Sequence, residues 1–365
     1  MPKIREGAVE FEIVDLPDVP TRKMKVFYNP SMKFGRDLTI AIVEAYGRIT
    51  GRKLRALLPL AGSGIRACRL LRETSCIDYI LLNDINPNAV EIARRNIALN
   101  NLQENTRIER RDASSLMWEL AEKHEKFDYI DIDPFGSPLP FLDAAFAVAA
   151  PGSIIGISAT DIGTLAGIYA EKALKKYRTF LSRLPIKNEI AVRVLLEAVA
   201  RAAAAHEKNI TPVLSVVSYF VRVFVMVSSK NSHTPGFIGW CSSCNRSLIL
   251  QNFSTECQYC GNKIIINGPL WVSGLHDSKL TKEAISHSPS NKVRNVFIKA
   301  TEEISTLSLV DTHYLCSTLN IPQLPSLNSL VRKITQRGYN ASRSVIVDTA
   351  IRTDAPTGII RELIL

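Results

Sequence analysis

The stretch LRALLPLAGSGIRACRLLRE, residues 54–73, decides the fold class. Its opening LRALLPL is an apolar run suited to a buried strand, and IRACRLLRE (65–73) places apolar side chains at helical spacing. Between them stands Gly62-x-Gly64-x-x-Ala67. Glycine at 62 and 64 lets the chain turn tightly and lets a ligand approach the backbone, while the helix amino end favours polar or anionic groups. A short glycine motif is also often a plain strand-to-helix connection, so its meaning depends on the residues around it.

Outward from it the alternation continues. DYILLND (78–84) reads as a second strand, and NPNAVEIARRNIALN (86–100) as a helix with Asn86 as cap and Pro87 in its first turn. Strands follow at 106–112, 127–133 and 153–161, with helices at 115–124 and 139–150 between them. Strands separated by helices predict a parallel sheet covered on both faces. A long helix over 189–209 leads into two β-branched runs within 213–229. The first domain is therefore expected to span 1–230, with SKNSHTPG (229–236) as a linker. A second, smaller α/β domain occupies 231–365, with a strand over 263–271 and helices over 291–305 and 326–339.

Composition limits the function. With 46% hydrophobic and 22% charged residues, the chain has an ordinary globular make-up and enough apolar material for a large core. No apolar run reaches eighteen residues and MPKIREGAVEFEIVD carries no signal region, so a cytoplasmic protein without a membrane partner is expected. The formal net charge of +10 favours a polyanion such as nucleic acid, the alternative being a merely solvated basic surface. Two segments stand out. KMKVFYNPSMKFGRD (23–37) is basic, rich in turn residues and able to fold over a site. KALKKYRTFLSRLPIK (172–187) holds six basic residues and no acid, and reads equally as a groove wall or a plain surface.

The strand ends carry acids. Asp84 lies twenty residues beyond Gly64, where a carboxylate accepts both hydroxyls of an adenosine ribose. That spacing also fits NAD. Asp112 and Asp133 end the third and fourth strands. Three carboxylates around a pyrophosphate would be unfavourable, whereas a phosphate-free cofactor with a cationic centre suits them. S-adenosylmethionine has that character. Immediately after the fourth strand stands Asp133-Pro134-Phe135-Gly136. Methyl transfer to a ring amine needs the nitrogen held in line with the methyl, and an acceptor for its hydrogens as positive charge develops. Asp133 can accept, Pro134 stiffens the turn, and Phe135 can stack on the target base. The plainer alternative is a proline that ends a strand and a phenylalanine that fills the core. Cys68 and Cys76 are expected to be core residues.

The blocks FYNPSMKFGRD, AGSGIRA, NDINPNAV, DIDPFGSPLPFLDAA, SATDIGTLAG, GYNASRS and RTDAP, in that order, resemble the tRNA (guanine-26-N2) dimethyltransferase family over nearly the whole chain. The resemblance implies an enzyme that methylates the exocyclic amine of guanine 26, at the hinge between the dihydrouridine and anticodon stems. The fold it implies is a Rossmann-like class I S-adenosylmethionine-dependent methyltransferase. By the same likeness Arg36 and Arg66 contact the cofactor, Asp84 holds the ribose, Asp112 and Ala113 flank the adenine, and Asp133 and Phe135 form the acceptor-base site. The chain departs from the pattern at Gly35, where the family usually has asparagine, and at Asn188, where a histidine often precedes Glu189. Two rivals stay open: an amino-methyltransferase for another nucleobase, and a non-catalytic tRNA-binding module. No obligate protein partner is evident.

Cys241-x-x-Cys244 and Cys257-x-x-Cys260 form two knuckles that can bring four thiolates to one tetrahedral zinc. Four thiolates leave no open position, so the site is expected to be structural. Disulfides or an iron–sulfur cluster are the alternatives. In the helix over 326–339, Arg332, Lys333 and Arg337 can face RNA phosphates or simply solvent.

Overall fold

The computed structural model describes residues 3–14, 24–229, 234–250, 254–306, 308–321 and 326–364. A hairpin of β1 (Lys3–Glu6) and β2 (Val9–Glu12) precedes α1 (Lys33–Thr50). The alternating unit then runs β3 (Leu54–Leu58), α2 (Ile65–Glu73), β4 (Ile77–Asn83), α3 (Pro87–Leu99), β5 (Thr106–Glu109), α4 (Ala113–Glu122), β6 (Phe127–Ile132), α5 (Leu139–Val148) and β7 (Ala149–Ala159). Helices α6 (Ile162–Leu165), α7 (Ala170–Tyr177) and α8 (Lys187–Ala204) lead to β8 (Asn209–Val217) and β9 (Val221–Ser228). Asn86 caps α3 as its sequence predicts, its side chain accepting from the Asn88 amide at 3.0 Å.

The seven strands β3 to β9 lie in the order β5-β4-β3-β6-β7-β9-β8. Strands β3 to β7 are parallel, but β9 runs antiparallel between β7 and β8, so the sheet is mixed rather than wholly parallel. The cause is local: only residues 218–220 join β8 to β9, and so short a connection can close only an antiparallel pair. The strand order reverses between β3 and β6. The carboxyl ends of those two strands open the crevice where such sheets bind ligands, and they carry the Gly62 turn and Asp133.

The sequence pattern does not show α1. Its residues from Gly35 to Gly47 are all buried, so no polar stripe marks a helical period. The segment predicted as a flap over 23–37 thus runs into this buried helix through a single turn at Pro30–Met32 capped by Asn29. Residues 15–23 fall outside the described part, as do 230–233 of the expected linker.

The second sheet consists of β10 (Gly236–Cys241), β11 (Arg246–Leu250), β12 (Ile265–Leu270), β13 (Leu309–Asp311), β14 (Ala341–Arg343) and β15 (Ala350–Thr353), ordered β12-β10-β11-β13-β15-β14 with antiparallel neighbours throughout. The helices that follow are α9 (Ser278–Ala284) and α10 (Asn291–Glu302), which pack against α1, and α11 (Thr312–Thr318), α12 (Leu327–Gln336) and α13 (Thr357–Ile364) beside the second sheet. The two halves share core. Trp240, Leu270 and Trp271 join the apolar cluster that includes Ile190 and Val194 of α8, and Leu280 and Phe297 join the one that includes α1. A buried ionic group crosses the same boundary. Glu189 pairs with Arg193 at 2.7 Å and with Arg352 at 2.6 Å, while Arg352 also holds Glu303, whose carboxylate lies 3.0 Å from His276.

Candidate active site and metal centre

Strand β6 delivers the acids. Successive side chains alternate across a strand, so Tyr129, Asp131 and Asp133 share one face. The Tyr129 hydroxyl donates to Asp131 at 2.7 Å. Asp131 is buried between two guanidiniums, Nε of Arg66 at 2.9 Å and Nη2 of Arg222 at 2.5 Å. Burial pushes the Asp131 carboxyl up, but Arg222 and Arg66 together hold it below its ordinary value. Arg222 also donates to Ser158 Oγ at 2.7 Å and Thr39 Oγ1 at 2.9 Å. Gly156 makes this possible, because a Cβ there would stand 2.8 Å from the Arg222 guanidinium. Arg66 itself reaches Thr39 Oγ1 at 2.9 Å and closes on the Asp133 carboxylate.

Arg36 lies in a second buried group. It grips Glu6 through Nε at 2.7 Å and Nη2 at 2.5 Å, and Arg69 meets the same carboxylate at 2.8 Å. Burial raises the Glu6 carboxyl, yet Arg36 and Arg69 bring it below its usual range. The Tyr28 phenol, donating to Glu6 at 3.1 Å, is pushed up to about 12 by burial and by that charge. Gly35, where the sequence departs from the family pattern, packs on Phe220; a Cβ would lie 3.3 Å from that ring.

These groups frame a cleft of about 230 Å³. Phe27, Met32, Leu60, Ile65 and Pro134 give it apolar walls, and Arg36, Arg66 and Asp133 line its polar side. Phe135 also lines it and is 45% exposed. Phe27 meets Phe135 edge to face, ring centroids 4.4 Å apart at 76°. The alternative of a phenylalanine sealed in the core is therefore excluded. Tyr219, from the β8–β9 turn, presents a further exposed ring on the same cleft.

The predicted cofactor residues divide into two groups. Arg36, Gly62, Arg66 and Asp133 line the cleft, whereas Gly64, Asp84, Asp112 and Ala113 stand outside its lining, on and beside neighbouring strand ends. Gly62 and Gly64 take the left-handed φ values of 54° and 75° that the turn requires. The Gly62 amide donates to Asp84 at 2.8 Å and the Asn86 amide to its other oxygen at 2.9 Å, so Asp84 ties the glycine turn to α3. Asp112 caps α4 through the Ser115 amide at 2.9 Å, with Ala113 buried as the first helical residue. The donor set fits S-adenosylmethionine: guanidiniums for a carboxylate, a carboxylate for cationic groups, apolar walls for the chain between. Sequence reasoning missed Glu6, Phe27, Thr39, Asp131, Tyr219 and Arg222. Arg222 did leave a signal, being the lone charge inside the apolar strand VRVFVMV.

A family model for N2,N2-dimethylguanosine tRNA methyltransferase matches residues 7–365. The chain belongs to that family. Among its relatives, the tRNA (guanine(26)-N(2))-dimethyltransferase of Methanosphaera stadtmanae is 31% identical, covering 99% of this chain and 96% of that protein. The tRNA (guanine(26)-N(2)/guanine(27)-N(2))-dimethyltransferase of Aquifex aeolicus is 32% identical over 96% of this chain and 92% of its own. Trm1 from Pyrococcus horikoshii, solved with S-adenosyl-L-methionine, superposes with a TM-score of 0.84 at 27% identity, covering both chains completely. The α/β half of this family member thus has the class I methyltransferase fold.

The same dimethyltransferase-family chain gathers its four cysteines. Cys241, Cys244, Cys257 and Cys260 place their sulfurs within 4.8 Å of one another. Cys241 lies 3.5 Å from Cys260 and Cys244 lies 3.9 Å from Cys257, sulfur to sulfur. A tetrahedral zinc with Zn–S bonds of about 2.3 Å sets its sulfurs about 3.8 Å apart, so the set fits that ion. Gly261 makes the bend after the second pair at φ 71°. The Cys244 amide and the Asn262 side chain donate to the sulfurs of Cys241 and Cys260 at 3.4 and 3.5 Å. Arg246 adds a buried cation within electrostatic reach of Cys244 and Cys257; among the described residues its Nε and Nη1 have no hydrogen-bond acceptor. Such a cation offsets the negative charge of four thiolates.

Proposed function

We propose that this chain transfers one or two methyl groups from S-adenosylmethionine to the exocyclic N2 amine of guanine 26 in tRNA. The observation that carries the reading is the placing of Asp133 and a half-exposed Phe135 on the rim of one cleft, at the point where the strand order reverses.

When bound, S-adenosylmethionine supplies an activated methyl on a cationic sulfur. The chain's own task is positional. Phe135, with Phe27 and Tyr219 near it, offers faces against which a flipped guanine can stack. Asp133 accepts from the amine hydrogens and steadies the positive charge that grows on nitrogen. Arg66 holds that carboxylate in place, and is itself held by Asp131 and Thr39. Arg36 and Arg66 are the candidates for the cofactor carboxylate, Asp84 for the ribose, and Asp112 with Ala113 for the adenine side. The apolar walls exclude water that would compete for the amine.

We assign donor binding and chemistry to residues 1–230, and tRNA recognition to 231–365 with its structural zinc. Among the described residues no helix is long and apolar enough to cross a membrane, and we place the enzyme in the cytoplasm. The deciding experiment is nucleoside analysis of a single tRNA after reaction, with the modified position mapped. N2-methylated guanine at position 26 supports the reading. Methylated adenine, or transfer to DNA alone, overturns it.

A further inference from the structure

A second groove adjoins the catalytic loop. It measures about 300 Å³ and is lined by Ala170, Leu174, Phe180, Leu181 and Ile266, with Glu171 as its one acid. Phe180 is 64% exposed, Tyr169 54% and Leu174 38%. The exposed ring does not stand on a loose segment. The Phe180 amide and carbonyl pair with Gly268 at 2.9 and 3.0 Å, and Ser182 exchanges two bonds with the Asn267 side chain at 2.7 and 3.0 Å. Both halves of the molecule thus hold an aromatic side chain in solvent, where it adds little to the core.

The charge around the groove is mostly positive, with Glu171 as the acid among its lining. Lys172, Lys175, Arg178, Arg183 and Lys187 are exposed and, among the described residues, form no ion pair. Lys176 alone of the six is paired, with Asp161 at 2.7 Å. Lys172 lies 4.9 Å from the centre of the Tyr169 ring. Unpaired cations interleaved with exposed rings match a phosphate backbone with unstacked bases. The groove is also fastened to the catalytic loop. Tyr177, the last residue of α7, bonds Asp161 and Ser137 at 2.9 Å each, and Thr160 accepts from the Gly136 amide at 2.7 Å. A polyanion that enters the cleft at Phe135 has this surface beside it.

We infer that the Leu174–Phe180 groove is a second RNA subsite. It takes an unstacked base of the same tRNA that presents its guanine at Phe135, stacks that base on Phe180, and holds the flanking phosphates on Lys172, Lys175, Arg178 and Arg183. The inference rests on the tRNA reading of the catalytic cleft and adds to it where the rest of the substrate lies.

The test uses the full-length protein, with equilibrium tRNA binding at several salt concentrations beside steady-state kinetics. Phe180→Ala is expected to raise both the tRNA Kd and the KM about 5- to 50-fold, with S-adenosylmethionine affinity and kcat kept. Phe180→Tyr, which retains the ring, restores binding. Joint Lys172→Ala and Lys175→Ala reduce the salt slope by about 2. If wild-type protein methylates tRNA and Phe180→Ala binds it within twofold of wild type, the subsite is wrong and the catalytic reading stands. If wild type transfers no methyl group, the catalytic reading fails, and the binding series still judges the groove. A Phe180→Ala effect confined to self-association, with tRNA affinity unchanged, assigns the groove to a protein partner and overturns the inference.

Discussion

The Arg66 guanidinium closes on the Asp133 carboxylate while its Nε stays 2.9 Å from Asp131. One cation thus serves two acids, one buried and one at the cleft. Asp133 and the guanidinium that holds it both line the cleft. Asp133→Ala is expected to lower kcat for tRNA methylation about 100- to 1,000-fold, measured at saturating S-adenosylmethionine so that weaker donor binding does not contribute to the loss. Turnover near the wild-type rate removes Asp133 from the chemistry.

Asp131 is a different case from its neighbour. Arg222 is completely buried and meets its carboxylate at 2.5 Å. Asp131→Ala leaves that guanidinium without its acid, and the cost of an uncompensated buried charge is about 3–5 kcal/mol. Urea unfolding should show a fall of this order. A loss below about 1 kcal/mol would mean that Arg222 finds another acceptor.

Phe135 is half exposed on the cleft, and the proposed function gives its ring a substrate base to stack on. Stacking on one base is worth about 1–3 kcal/mol. Phe135→Ala should therefore reduce kcat/KM for tRNA about 5- to 150-fold, with thermal stability close to wild type and Phe135→Tyr nearly neutral. A large loss of melting temperature in Phe135→Ala, with kinetics preserved, would mark the ring as packing alone.

The cysteine cluster predicts bound zinc in the purified protein and a fall in metal content for Cys257→Ser. Melting temperature should drop with the metal. Emission spectroscopy that finds no zinc in the intact protein would defeat this assignment.

Acid should unfold the protein through its paired carboxylates. Burial raises Glu303, but Arg352 and His276 bring it down to about 2, and Glu6, Asp131 and Glu189 are also lowered by neighbouring guanidiniums. Their folded values lie below an unfolded value of about 4. The unfolded chain then binds more protons, so stability is fully present above about pH 5 and is lost as pH falls toward 2. Urea midpoints should be similar at pH 7 and pH 5 and lower at pH 3. A flat profile from 7 to 3 would contradict the ion-pair assignments.

Much of this site was legible in the sequence because its signals are local. Gly62 and Gly64 sit between a strand and a helix, Asp133 and Phe135 share one tetrapeptide, and the cysteines come in matched pairs. What stayed hidden depends on distance along the chain. Arg222 meets Asp131 across 91 residues and Arg36 meets Glu6 across 30, and no periodicity announces such pairs. Helix α1 was obscured for the opposite reason, since burial on every side erases the amphipathic stripe. The inverted β9 followed from a turn length that the strand pattern alone does not weigh.

The ionic group of Glu189, Arg193, Glu303 and Arg352 carries a lesson for engineering. Glu189 and Arg193 stand on α8, whereas Arg352 comes from β15 and joins Glu189 to Glu303. A chimera that borrows either half from a relative must import a matching set or leave a charge stranded in the seam. These halves are welded rather than bolted, and swapping specificity by module exchange has to begin at that weld.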